Sequence, residues 1–309
     1  MANAKEIQNR ISSIRDTMKI TKAMYMISST KLKKARKSME DTEPYFYGLR
    51  SEISRVLRHM PEFEHIFFDN RQKDKKETYK KRGYLVITAD KGMAGAYNHN
   101  VLKMTQERIE KDEDFKLFVV GELGRQYFAQ RDIPVTENFY YTAQNPSLHR
   151  ARMISERIIE MYLAEELDEV YVIFTRMGRG VTEENECYQL LPLAHENFYQ
   201  KLPADIALEM YQEEFQISPS PEAVIEALVP NYLTGFIYGA LVESYSCEQN
   251  ARMMAMDAAT KSAEDMLREL SIMYNRVRQS AITQEITEVC GGANALKRKK
   301  MDAKKKGER

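Results

Sequence analysis

The chain has 309 residues, 43% apolar and 30% charged, with a mean hydropathy of −0.56. That suits two ordinary domains, or one domain with long extensions. No run of about 18 apolar residues is present, so no membrane-spanning helix is expected. Nothing has the charged-then-apolar pattern of a secretory leader.

Cys187, Cys247 and Cys290 are far apart, and the five histidines are scattered. They give neither a metal-ligand spacing nor a disulfide framework, so a reducing compartment is expected, with no metal or cofactor site. The net charge of zero is a sum of unlike parts. Residues 1–40 hold ten Lys/Arg against three Asp/Glu, and residues 297–309 hold eight against two, so the body between is acidic. Basic ends on an acidic body suit nucleic acid, an acidic protein partner, or plain solvated helix faces.

The first element is one very long helix, residues 1–60. Ile7, Ile11, Ile14, Met18, Thr21, Tyr25, Ser28, Leu32, Ala35 and Met39 alternate steps of four and three, the spacing of a coiled-coil seam. The phase continues through Phe46, Leu49, Ile53, Val56 and Met60. Pro44 is expected to kink or split this helix, and Pro61 to end it. Residues 61–82 read as a linker, with a charged loop from Arg71 to Arg82.

From residue 83 to about 200 the periodicity becomes that of a compact α/β domain. "YLVITA", "FKLFVVG", "IPVTENFY", "EVYVIFTRM" and "ENECYQLLPLA" read as strands. Helices follow "DKGMAGAYNHN", fill "ELGRQYFAQR" and start after Ser147. Strands alternating with helices imply βαβ units in a largely parallel, Rossmann-like sheet.

Residues 201–220 form a connector, and Ser220–Pro221 suits a helix start. Pro230 is expected to kink the helix early. Tyr238, Val242, Tyr245, Gln249, Arg252, Met256, Ala259, Ala263, Met266, Leu270, Met273 and Val277 then repeat the four-three alternation. Gly291–Gly292 is expected to stop the helix, leaving 291–309 as a basic, disordered tail. Some 60–70 helical residues would span roughly 90–105 Å, far beyond a small domain. An antiparallel coiled coil of helices 1–60 and 221–290 is the simplest packing.

Its seam is weak, because Thr21, Ser28, Gln249, Arg252, Ala259 and Ala263 are polar or small. Beside it runs a second apolar stripe: Ile20, Met24 and Ile27 on the first helix, and Cys247, Ala251, Met254 and Ala258 on the last, with Ile282, Ile286 and Val289 at its end. Such stripes mark an interface; a third helix of the same chain, or scattered surface apolars, is the alternative. Arg278, Gln279, Thr283 and Glu285 lie on the same terminal stretch, where hydrogen-bonding side chains suit a switchable contact with a partner or a solvated face.

Chemistry is harder to find. "DKGMAGAYN" follows a strand and opens a helix as a phosphate loop does, but it has neither the Gly-Lys-Ser/Thr ending nor the G-x-G-x-x-G spacing. It reads as a structural turn. Asp90 and Glu122 stand at strand ends, where they suit helix caps better than catalysis. No spacing of Ser/His/Asp, Cys/His or paired carboxylates suggests an active site, so no catalytic residue is expected.

"AKEIQNRISSIRDTMKITKAMYMISSTKLKKA" resembles the start of the gamma subunit of the F-type ATP synthase. "ITADKGMAGAYNHNV" is similar to that family's middle domain, and "ALVESYSCEQNARMMAMDAATKSAEDMLRELSIMYNRVRQSAITQEITEV" to its C-terminal helix. The resemblance implies a central-stalk rotor without an active site of its own, one copy per complex. It would stand in the alpha/beta subunit hexamer and be seated with the epsilon subunit on the c-subunit ring. The rotor would couple ion-driven rotation to conformational cycling of the beta subunits.

The resemblance places Met24 near an acidic segment of beta. It makes Arg252, Gln279, Thr283 and Glu285 polar contacts to neighbouring ring subunits. It also implies peripheral attachment to the cytoplasmic side of a bacterial cell membrane, the source inferred from the missing transit peptide; proton or sodium coupling stays open. Two departures are the "KRKKMDAKKKGER" extension and Ala94, where a cysteine is common. A nucleic-acid-binding or other interaction coiled coil is the competing reading; it explains the basic ends but not the second stripe.

Overall fold

The structure is a computed structural model. It describes residues 4–60, 63–68, 80–139, 143–178, 183–199 and 217–307, with backbone alone from 298. The charged stretch 71–79 and residues 201–216 of the connector lie outside these residues. The chain divides into two compact units: Met26–Ala255, and a second made of Met1–Tyr25 with Met256–Arg309.

In the unit Met26–Ala255 a five-stranded sheet has the order β3-β2-β1-β4-β5. The strands are β1 (Arg82–Ile87), β2 (Phe115–Val120), β3 (Glu137–Phe139), β4 (Glu169–Met177) and β5 (Glu183–Leu191). The first four are parallel and β5 is antiparallel to β4. A short connection from Met177 to Glu183 permits only a hairpin, since a parallel return needs a crossover of a dozen residues or more. β3 is shorter than "IPVTENFY" promises, because Pro134 cannot donate to a ladder.

Helices α2 (Tyr97–Ile109), α3 (Glu122–Ala129) and α4 (Leu148–Leu163) connect the strands, and α5 (Glu196–Tyr199) follows β5. Ser147 caps α4 as expected, accepting from the Arg150 amide at 3.4 Å. The strand residues sort by parity. Tyr84, Val86, Leu117 and Val119 pack with α2 and α3. Leu85, Ile87, Phe118 and Val120 face the larger core with α4. Gly121 (φ 99°) turns the chain from β2 into α3, and a Cβ there would lie 2.2 Å from the Thr88 carbonyl oxygen, so only glycine fits.

A buried ionic group stitches the amino-terminal end of the sheet. Lys80 Nζ reaches Glu169 Oε1 at 2.7 Å, and Arg82 Nε reaches Glu169 Oε2 at 2.9 Å. Arg82 also pairs with Asp112, which accepts from the Tyr84 hydroxyl. Burial pushes the Glu169 carboxyl up, but hydrogen bonds from Lys80, Arg82 and Tyr171 outweigh it and hold the group below the ordinary range.

The two long helices are α1 (Ala4–His59) and α6 (Pro221–Gly307), and both run through the two units. In the unit Met26–Ala255 they meet with small residues of α6 facing large ones of α1. A Cβ on Gly235 would lie 1.9 Å from Phe46, and one on Gly239 would lie 3.6 Å from the end of Met39. Ser38 and Tyr238 share a hydrogen bond of 2.8 Å. Ile53, Val56 and Leu57 of α1, with Ile225, Val229, Leu233 and Ile237 of α6, close the larger core.

Three expectations about these helices are corrected. α1 is not split at Pro44, and α6 likewise runs unbroken through Pro230. An internal proline costs about 3 kcal/mol, and buried neighbours on either side, Leu49 near one and Val229 and Leu233 near the other, offset it. Gly291–Gly292 does not end α6, whose backbone stays helical to Gly307 in place of the expected disorder. Each glycine costs about 1 kcal/mol in a helix, and the Ala-, Leu- and Lys-rich residues that follow continue it. α6 also contains an 18-residue stretch of mean hydropathy 1.2, long and apolar enough by composition to cross a membrane, where no such stretch was expected. Half of that stretch is buried, as in a core helix.

Candidate interaction surfaces and the turn at the strand ends

In the unit of the two chain ends, several α1 positions expected on the seam are covered. Ile7, Ile11 and Thr21 are buried, but Tyr25 is exposed. On α6 the seam slips by one residue. Met256 and Ala263 are buried as expected, but the positions between are Thr260 and half-buried Leu267 and Tyr274, not Ala259, Met266 and Met273. The reason at Thr260 is a hydrogen bond: its hydroxyl lies 2.8 Å from that of Thr21. The slip leaves Met266 and Met273 outside.

The second stripe is confirmed as exposed at most positions of this unit. Ile20 is 60% exposed and Val289 72%, with Ile282 and Ile286 similarly bare; Ile272, outside the expected stripe, is exposed as well. Met24 is half-buried, while Arg278, Gln279, Thr283 and Glu285 are exposed along α6. Thr283 spends its hydroxyl proton on the Gln279 carbonyl at 2.9 Å. The structure therefore gathers four of the six sequence-predicted contacts onto one helix stretch, with Met24 in the same unit.

Arg252 is different. It belongs to the unit Met26–Ala255 and is buried. One guanidinium nitrogen donates to the Lys91 and Gly92 carbonyls, both at 3.1 Å. The same nitrogen pairs with Glu248 at 2.6 Å. Cys247 and Ala251, expected on the bare stripe, are covered by Ala89, Ala94 and Tyr97. Here a part of the same chain covers the stripe, while Met26, Ile27 and Met254 remain exposed.

This place is the switch point of the sheet, between the carboxyl ends of β1 and β4, where doubly wound folds take nucleotides. It is filled. The Tyr97 hydroxyl and Ser244 share a 2.7 Å hydrogen bond, and Asn98 accepts from the Ala89 amide at 2.9 Å. Asp90 is a helix cap as expected, though of α3: Oδ1 accepts from the Glu122 amide at 3.1 Å. Its Oδ2 is buried and meets no hydrogen-bond partner among the described residues.

Burial dominates the electrostatics. It pushes the Cys247 thiol to about 12, with help from Glu183 and Glu243. It also raises Glu248, which Arg252 lowers and Asp90 raises further. Sequence reasoning missed Glu248; its spacing of four from Arg252 was the available signal. Elsewhere a cavity of about 560 Å³ is lined by Phe46, Arg50, Tyr188, Tyr232 and Phe236 among others. Arg50 is already committed to the Asn197 carbonyl at 2.7 Å.

A small mixed α/β domain on two very long helices, with bare apolar residues at regular helical spacing, defines a scaffold that works by protein contacts. A family model described as ATP synthase matches residues 3–296. The ATP synthase gamma chain of Acetivibrio thermocellus is 44% identical over 298 residues, covering 96% of this chain and 100% of the relative. The sodium ion specific ATP synthase gamma chain of Acetobacterium woodii is 36% identical over 304 residues, with 95% and 99% covered. In fold, the chain is similar to one from the Tetrahymena thermophila mitochondrial ATP synthase central stalk and c-ring structure. That match has a TM-score of 0.58 at 21% identity, with 78% and 99% covered. A chain of the Euglena gracilis enzyme gives 0.60 at 16%, with 95% and 94% covered. The chain belongs to the ATP synthase gamma-chain family.

Proposed function

We propose that the chain is the central-stalk rotor subunit of an F-type ATP synthase, with α1 and α6 paired as an antiparallel coiled coil. It transmits ion-driven rotation of a c-subunit ring to the catalytic beta subunits of an alpha/beta hexamer. The epsilon subunit is its neighbour beside the α/β domain. The complex holds one copy, attached peripherally at the cytoplasmic face of a cell membrane.

The observation that carries this reading is the bare stripe at the chain ends, Ile20 with Ile282, Ile286 and Val289, and Ile272 exposed outside it. Exposed apolar residues at this density call for an enclosing partner, and a sleeve of ring subunits encloses a rotating helix without binding one face of it. Met24, Arg278, Gln279, Thr283 and Glu285 are the side chains that meet the ring. For the rotor to drive chemistry, each face must favour one beta conformation over another.

Met24→Lys tests the reading. Met24 is half-buried beside exposed Ile20, so a lysine there can reach outward to acidic groups of beta. The complex should assemble and hydrolyse ATP but pump ions poorly. Failed assembly, with equal loss of both activities, would sink it.

A further inference from the structure

We propose that the cavity between α1, α6 and the β4–β5 hairpin binds a flat organic cation, an aromatic or quaternary ammonium ion of small-molecule size. Its lining residues all belong to the unit Met26–Ala255, so the site needs no partner subunit and does not rest on the rotor reading.

The cavity is large enough and its walls are aromatic. At about 560 Å³ it falls within the roughly 300–1,000 Å³ of small-molecule pockets. Tyr188 of β5 and Phe236 of α6 stack at 4.4 Å. Tyr232 and Phe46 line it too, and the exposed ring of Tyr47 adds a further aromatic. The Tyr188 hydroxyl accepts from Asn197 at 3.2 Å. Burial pushes the Tyr188 and Tyr232 phenols above their ordinary range, so both rings stay neutral. Neutral aromatic faces attract a cation and repel an anion.

Charge points the same way. Glu43, Glu186 and Glu243 line the cavity against Arg50 and Arg176, three carboxylates to two guanidiniums. Arg50 is held by the Asn197 carbonyl. Arg176 spans two of the carboxylates loosely, 3.5 Å from Glu186 and 3.7 Å from Glu243, with 58% of its side chain exposed. Ion pairs this long and this exposed contribute little and are easily exchanged. Burial holds the Glu243 carboxyl above its ordinary range, and neither the Met177 amide nor Arg176 cancels that effect. A half-buried carboxylate short of positive charge, set beside aromatic rings, is a place where another cation gains. Arg176 is then the occupant to be displaced: it moves out to solvent, and the ligand's charge takes its place between Glu186 and Glu243.

The test uses the full chain and three probes of similar shape and different charge: N-methylquinolinium, naphthalenemethanol and naphthoate, with binding read by equilibrium dialysis. N-methylquinolinium should bind about tenfold or more tighter than either of the others. Glu243→Gln should weaken it about tenfold and leave naphthalenemethanol unchanged. Arg176→Ala should tighten it several-fold by removing the competing cation. The Arg176 side chain is exposed, so that substitution spares the core, and it decides the matter if Glu243→Gln does not fold. Bound N-methylquinolinium should also slow amide exchange along residues 39–50 and 232–243.

Equal binding of the three probes would make the cavity a merely apolar cleft and overturn the proposal. Tighter binding of naphthoate would overturn it by giving the site to the two arginines. So would the absence of binding by any probe, or weaker binding of N-methylquinolinium to Arg176→Ala. No partner subunit takes part in these measurements, so each outcome leaves the rotor reading where it stands.

Discussion

The two units treat polar and apolar groups in opposite ways. In Met26–Ala255 charges are taken inside and paired: Lys80 and Arg82 on Glu169, Arg252 on Glu248. In the unit of the chain ends the ion pairs Lys19–Asp16 and Lys22–Glu264 are exposed, and it is the large apolar residues that stand in solvent. Exposed pairs contribute about 0–1 kcal/mol, so they do not explain why this unit has its sequence. The first unit covers most of its apolar side chains, with Met26, Ile27 and Met254 among those it leaves bare, while the second leaves many of its large ones in solvent.

The comparison can be broken most sharply at Glu169. Glu169→Ala should cost roughly 3–5 kcal/mol, because it removes the carboxylate that Lys80 and Arg82 share inside the protein; thermal unfolding measures it. The pH dependence has a definite sign. In the folded state Glu169 titrates below the pH at which a free glutamate does. The stability it contributes is therefore present above that pH and is lost as pH falls through the folded value. Glu169→Gln should flatten that acid limb. A stability loss under 1 kcal/mol for Glu169→Ala would erase the distinction between the units.

A smaller loss is expected where the helices touch most closely. Gly235→Ala puts a methyl 1.9 Å from Phe46, and overpacking of this kind costs roughly 1–3 kcal/mol. In the unit of the chain ends, Thr21→Val or Thr260→Val alone should cost about 1 kcal/mol by removing the hydrogen bond between the two hydroxyls, although the one that remains keeps a carbonyl of its own helix. A double-mutant cycle in urea measures the coupling; strict additivity would mean that the pair does not set the slipped seam. The smallest effect belongs to Ile286→Ser. It should change the stability of the isolated chain by less than about 0.5 kcal/mol, yet slow the assembled complex. A large loss of stability would mean that this residue is covered within the chain after all.

The α/β domain was legible because its signals are local. β4 matches its expected span, and Ser147 caps α4 where a serine before an apolar helix should. Several expected seam positions of α1 were legible for the same reason, with Tyr25 the exception. The slip on α6 was not. Ala259 and Thr260 both fit a four-three alternation, and only the hydroxyl of Thr21, on the other helix, selects between them. Arg252 was misread in direction. Its position fits a contact, but the carbonyls it binds lie some 160 residues away in sequence. The continuation of α6 through Gly291–Gly292 was missed because a pair of glycines is a strong stop only when the sequence beyond it disfavours helix.

The crevice at the carboxyl ends of β1 and β4 is closed by Cys247 and Ala251 of α6. In a doubly wound domain that place ordinarily belongs to a diffusing ligand, whose occupancy rises and falls with its supply. Here the occupant is tethered to the lock. Its effective concentration is set by the chain itself and stays at the millimolar scale or above, whatever the state of the cell. A metabolite seeking entry would have to displace side chains that the chain itself holds in place.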